Sequence, residues 1–127
     1  SSMADIAKLS FLIVDDVSSV REFLRQTLVH MGVADIYEAS SGEVAISSFK
    51  KNLPDVVFLD IELPDMDGQE ILKTIKSTKQ NAFVVMISAH SSVDNVKTAI
   101  SNGASGFIVK PFSPKKITSV LKKFQGN

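Results

Sequence analysis

The sequence predicts an α/β domain, an open doubly wound parallel sheet of five strands with helices on both faces. Three observations carry that expectation. Short apolar runs recur at residues 11–14, 56–59, 83–87 and 107–109, as in strands buried on both faces of a parallel sheet. Segments with helical spacing lie between the runs. Each run is followed by polar or charged residues: Asp15-Asp16, Asp60, Ser88-Ala89 and Lys110-Pro111. If the strands are parallel, these groups share one edge of the sheet, beyond the carboxyl ends where such sheets bind ligands.

In chain order, Ser1-Ser2 before Met3 reads as a cloning scar. Residues 1–3 are therefore taken as scar and start, and 4–127 as a single domain. Phe11-Leu12-Ile13-Val14 is the first strand. Val20, Phe23, Leu24, Thr27, Leu28 and Met31 follow the i, i+3, i+4 spacing of a helix, with Gly32 as a stop. Ile36-Tyr37-Glu38-Ala39 is a short strand of mixed polarity, as expected at a sheet edge. Residues 41–51 predict a helix with Ala45 and Phe49 inward. The third strand is Val56-Val57-Phe58-Leu59. A helix after Gly68 is marked by Ile71, Leu72 and Ile75. The fourth strand runs from Phe83 to Ile87. The next helix, over 91–102, is marked by Val93, Val96 and Ile100 and ended by Asn102-Gly103. Phe107-Ile108-Val109 is the last strand, and Ile117, Val120, Leu121 and Phe124 mark the last helix. Parallel crossovers are right-handed in nearly all proteins. Only Gly126-Asn127 are counted after the last helix, so no output domain is expected within this chain.

The 127 residues suit one domain, and 44% hydrophobic content suffices for a core. No apolar stretch approaches the ~20 residues of a membrane span, and no signal peptide is evident. The absence of cysteine excludes disulfides and thiolate metal sites. A cytoplasmic location is expected. Net charge is zero but unevenly placed. Residues 1–70 carry five basic and thirteen acidic side chains, and residues 71–127 carry nine lysines and one acid, Asp94. Either solvated helix faces or a basic face for an acidic protein partner accounts for this. No Arg cluster or separate reading helix points to nucleic acid.

The shared edge would hold three carboxylates, a hydroxyl and an ammonium. Carboxylates so placed repel one another unless a cation intervenes. A hard divalent cation, Mg²⁺ above others, with phosphate as a further ligand, satisfies that set. Taken singly, each residue has a plainer role: an Asp at a strand end often caps a turn or helix, and a lone Lys snorkels. Asp65-Met66-Asp67-Gly68 fails as an EF-hand loop, because its first and twelfth positions would be Leu63 and Thr74. His30 is expected at the surface near a helix end.

The pieces FLIVDD, VVFLDIELPDMDG, VVMISA and GFIVKPF, in this order and spacing, resemble the receiver domain of two-component response regulators, the CheY-like family. The resemblance runs from Leu9 to Phe124. It implies the flavodoxin-like strand order 2-1-3-4-5. It implies that Asp60 is the phosphoacceptor and that Asp16, Asp60 and the Glu62 main-chain carbonyl bind Mg²⁺ directly, with Asp15 acting through water. Lys110, the Ser88 hydroxyl and the Ala89 N–H would hold the phosphoryl oxygens. The Lys110-Pro111 bond would be cis. Phe107 would be the switch aromatic, without the hydroxyl that many relatives carry there. Glu62 and His90 would set the phosphoryl lifetime. The implied partners are a histidine kinase or histidine phosphotransfer protein, and a downstream target or linked output domain. The protein would be a monomer or a phosphorylation-linked dimer, with no direct nucleic-acid or membrane contact. Its responding surface would be the 91–102 helix, the last strand and the last helix. It would be a signalling switch rather than an enzyme, although it would assist its own phosphorylation and dephosphorylation.

Two other readings remain. A small haloacid-dehalogenase-like phosphatase also uses a strand-end Asp, Mg²⁺ and a Lys, and Glu62 fits its second acid. Its nucleophile, however, lies on the first strand, and it usually carries a cap domain. A degenerate receiver serving only as an interaction module is opposed by the complete set Asp15, Asp16, Asp60, Ser88 and Lys110.

Overall fold

The computed structural model describes residues 2–90 and 92–124. Its elements are α1 (Met3–Ala7), β1 (Ser10–Val14), α2 (Ser18–His30), β2 (Asp35–Ala39), α3 (Gly42–Asn52), β3 (Val56–Asp60), α4 (Gly68–Thr78), β4 (Phe83–Ser88), α5 (Val93–Ser101), β5 (Gly106–Val109) and α6 (Pro114–Leu121). The five strands are all parallel, in the order β2-β1-β3-β4-β5. The fold class and strand order expected from the sequence are those observed.

Strand alternation divides the core into two layers. Leu12, Val14, Val57, Leu59, Val84 and Met86 face α3, α4 and α5, and meet Ala45, Phe49, Ile71, Leu72 and Ile75 there. Phe11, Ile13, Phe58, Val85 and Ile87 face the other way, toward α1, α2 and α6. Phe11 and Phe58 stack across β1 and β3 at 6.3 Å. Every residue of β3 and β4 is buried, which is why these strands read as unbroken apolar runs. The edge strand β2 is mixed, as its sequence implied.

Two features were not foreseen. The short helix α1 precedes β1. Ser2, which the sequence alone marks as part of a scar, caps it by accepting from the Asp5 N–H, and Ile6 is fully buried. The apolar stripe of α5 also does not face the core. Its one buried residue is Ala99, while Val93 and Ile100 are 66% and 63% exposed. Ser91, the first residue of the expected 91–102 helix, lies outside the described residues. In α2, Phe23 likewise turns from the core and packs on Phe112, with ring centroids 5.7 Å apart. Gly32 ends α2 at φ 91°, a conformation that favours glycine. His30 is exposed in the last turn, its Nδ1 2.7 Å from the Gln26 carbonyl.

Candidate functional site

Strand order reverses between β1 and β3, and the crevice at their carboxyl ends is the expected ligand position in such a sheet. Asp15 follows β1 and Asp60 ends β3. β4 ends in Ser88, and Lys110 follows β5. The ladder continues past the strands: the Lys110 N–H donates to the Ser88 carbonyl at 2.8 Å and fixes where the lysine departs. The Lys110-Pro111 peptide bond is cis, as the resemblance implied.

Asp15 is fully buried and Asp16 exposed. The Val17 N–H donates to Asp15 Oδ1 at 2.8 Å. Arg21, itself paired with Glu38, donates to the Asp15 carbonyl and holds the turn after β1. The Glu62 N–H donates to Asp60 Oδ1 at 2.8 Å, and Lys110 Nζ to Asp60 Oδ2 at 2.8 Å. Lys110 Nζ also lies 3.0 Å from Asp15 Oδ2. That contact is an ion pair without hydrogen-bond alignment, so Asp15 Oδ2 is a buried oxygen lacking a hydrogen bond. The Ser88 hydroxyl donates to Glu62 Oε2 at 2.9 Å and accepts from the His90 N–H at 2.9 Å. Ala89 and His90 are exposed beside it.

The loop after Asp60 is shaped by close packing. A Cβ on Gly68 would lie 2.6 Å from the Ile61 Cα, so this position accepts only glycine without a backbone shift. Asp65 accepts from the Gly42 and Glu43 N–H groups at the start of α3, which holds its carboxyl below the usual range. Asp67 caps α4 through the Gln69 N–H. Both acids of the EF-hand-like stretch are thus engaged with helix N-termini.

One carboxylate oxygen from each of Asp15, Asp16 and Asp60 falls within 4.8 Å of the others. Oxygen donors at this spacing suit a hard cation, and the Lys110 ammonium resting against both Asp15 and Asp60 shows that this group of carboxylates draws positive charge. The residues therefore fit Mg²⁺. Among the described residues, no hydrogen bond or ion pair engages the Asp16 carboxylate. Burial pushes Asp60 up to about 6, and the neighbouring Asp15 adds to the rise. The bonds from Lys110 and the Glu62 N–H oppose it. Burial would lower Lys110, but Asp60 and Asp15 outweigh it and hold the lysine above its usual range.

The stability of the metal-free protein should depend on pH through Asp60. Asp60 is raised above an unfolded value of about 4, so its contribution to stability is fully present below pH ~4 and lost as pH rises through ~6. Asp60→Asn should raise the melting temperature at pH 7.5 but not at pH 4. Allowing for screening, the gain is about 1–2 kcal/mol, or roughly 3–10 °C. Saturating Mg²⁺ should narrow the difference. A thermal scan with no pH dependence would contradict the electrostatic assignment.

The fold and this pocket match those expected of a receiver domain, and the comparisons with known proteins show the family. The chain belongs to the response regulator receiver domain family, whose profile matches residues 11–122. It is 38% identical over 112 residues to the chemotaxis protein CheY of Bacillus subtilis, covering 88% of this chain and 93% of that one. It is 37% identical to CheY of Thermotoga maritima over the same length and shares. Among solved structures, a chain of the CheX-CheY-BeF₃-Mg²⁺ complex from Borrelia burgdorferi aligns with TM-score 0.89 at 35% identity, covering 94% of this chain and 90% of that one. No helix among the described residues is long and apolar enough to cross a membrane.

Proposed function

We propose that this domain is a phosphoacceptor switch that takes a phosphoryl group onto Asp60 from a histidine kinase or a histidine phosphotransfer protein. The observation that carries the reading is the buried Asp60 carboxylate, gripped by Lys110 and flanked by Asp15 and Asp16 at the switch point. An Asp60 oxygen forms the new O–P bond as the P–N bond to the donor imidazole breaks. The imidazole nitrogen keeps the electron pair and takes up a proton from solvent. Lys110 neutralises charge on the phosphoryl oxygens as a compact cation. The Ser88 hydroxyl, helped by the Ala89 N–H, donates to a further phosphoryl oxygen. Asp16, Asp60 and the Glu62 main-chain carbonyl would hold Mg²⁺ directly, with Asp15 behind a water. When bound, Mg²⁺ supplies the positive charge that lets a phosphoryl group approach three carboxylates.

The output is read on the surface of α5, β5 and α6. Phe107 is half-buried there, and Val93, Ile100 and Val109 are exposed. Lys116 and Lys123 border the groove beside Phe107, which suits an acidic protein target or a linked output domain, with the domain acting as a monomer or a phosphorylation-linked dimer. The phosphoryl group selects a conformation already present at low population. Glu62 and His90 flank the path of the hydrolytic water and tune the lifetime.

Incubation with acetyl phosphate and Mg²⁺ tests the reading by intact mass. One phosphoryl group per chain is expected, and none once Mg²⁺ is chelated. Steady turnover of p-nitrophenyl phosphate would mark a phosphatase instead, and failure to take up phosphate would mark a pure interaction module.

A further inference from the structure

We infer that Glu62 is an internal latch on Ser88: without phosphate its carboxylate takes the single hydrogen bond that the hydroxyl can donate. This rests on the phosphoacceptor reading above. A serine hydroxyl has one proton. Here it goes to Glu62 Oε2 at 2.9 Å, while the same hydroxyl oxygen accepts from the His90 N–H. Phosphoryl oxygens on Asp60 can only accept, so they need the proton that Glu62 holds. Carboxylate and phosphoryl oxygens are interchangeable partners for it, and the two states of Ser88 exclude one another.

The geometry allows the exchange. The Glu62 N–H is fixed on Asp60 Oδ1, so the side chain moves without shifting the backbone carbonyl assigned to the metal. Glu62 is exposed, and a released carboxylate passes into water at little cost. Ser88 is fully buried, and a freed hydroxyl has strong reason to find a new acceptor. Phosphorylation adds roughly two negative charges beside Glu62, which drives the carboxylate away as the new acceptor arrives. The latch therefore opposes phosphorylation and steadies the resting position of Ser88. This role is separate from any effect of Glu62 on the hydrolytic water.

A double-substitution cycle tests it, using Glu62→Ala, Ser88→Ala and the pair. Two quantities are measured: the rate of phosphorylation by acetyl phosphate with Mg²⁺, by intact mass, and beryllofluoride affinity, by fluorine NMR. Glu62→Ala should raise both about three- to tenfold, the scale of one charged hydrogen bond partly replaced by water. In the Ser88→Ala background only the charge effect remains, and the gain should fall to less than about twofold. An equal gain in both backgrounds would assign the effect to charge repulsion and overturn the latch. No gain with Ser88 present would overturn it as well. Absence of phosphorylation in all four proteins would overturn the phosphoacceptor reading and the latch together.

Discussion

Asp60→Ala is expected to abolish phosphoryl uptake, lowering it at least ~10³-fold, because the oxygen that forms the bond to phosphorus is gone and nothing nearby can replace it. Asp15 is fully buried, with one oxygen bonded to Val17 and the other against Lys110. Asp16 is exposed and outside the Lys110 pairing. The variant should remain folded. Losing a buried carboxylate beside Asp15 relieves repulsion, so its metal-free melting temperature at pH 7.5 should not fall. Loss of uptake in a folded protein identifies a missing nucleophile; loss together with unfolding would not. Intact mass with a circular dichroism melt reads both. Undiminished, acid-stable phosphate on Asp60→Ala would refute the assignment.

The second large effect belongs to Lys110. Its ammonium sits 2.8 Å from Asp60 and 3.0 Å from Asp15. Lys110→Ala should slow phosphorylation by about 10²–10³-fold, the usual cost of removing one preorganised charge partner of a transferring group. Mg²⁺ affinity should move the other way and rise a few-fold, since a resident cation no longer competes for the same carboxylates. A structural lysine would predict neither the opposite signs nor the size of the loss. A metal titration beside the phosphorylation rate separates the two cases, and a parallel fall in both would contradict a charge-neutralising role for Lys110.

The fold was legible because its central strands are buried on both faces. Val56-Val57-Phe58-Leu59 has no polar residue to obscure the run, and the chemistry sits where such runs end. The grouping of Asp15, Asp16 and Asp60 follows from parallel strands together with the placing of β1 beside β3, which the family resemblance implied. Other features depend on contacts that no local pattern encodes. The Ser88–Glu62 bond joins residues 26 apart, and the Asp65 cap on Gly42 joins residues 23 apart. The helix α1 is too short to show a period. The stripe Val93, Val96, Ile100 has the right period but the wrong face, because hydrophobic spacing does not distinguish a core surface from one left exposed. On α5 only the small Ala99 is buried.

The most direct test of the central claim is chemical localisation of the phosphate on the unaltered protein. Borohydride cleaves an acyl phosphate and converts the aspartate to homoserine, which peptide mass mapping locates. After treatment with acetyl phosphate and Mg²⁺, homoserine is predicted at position 60 and nowhere else, and it should be absent when Mg²⁺ is chelated. Homoserine at position 15 or 16, or phosphate retained on a serine or histidine after reduction, would contradict the account.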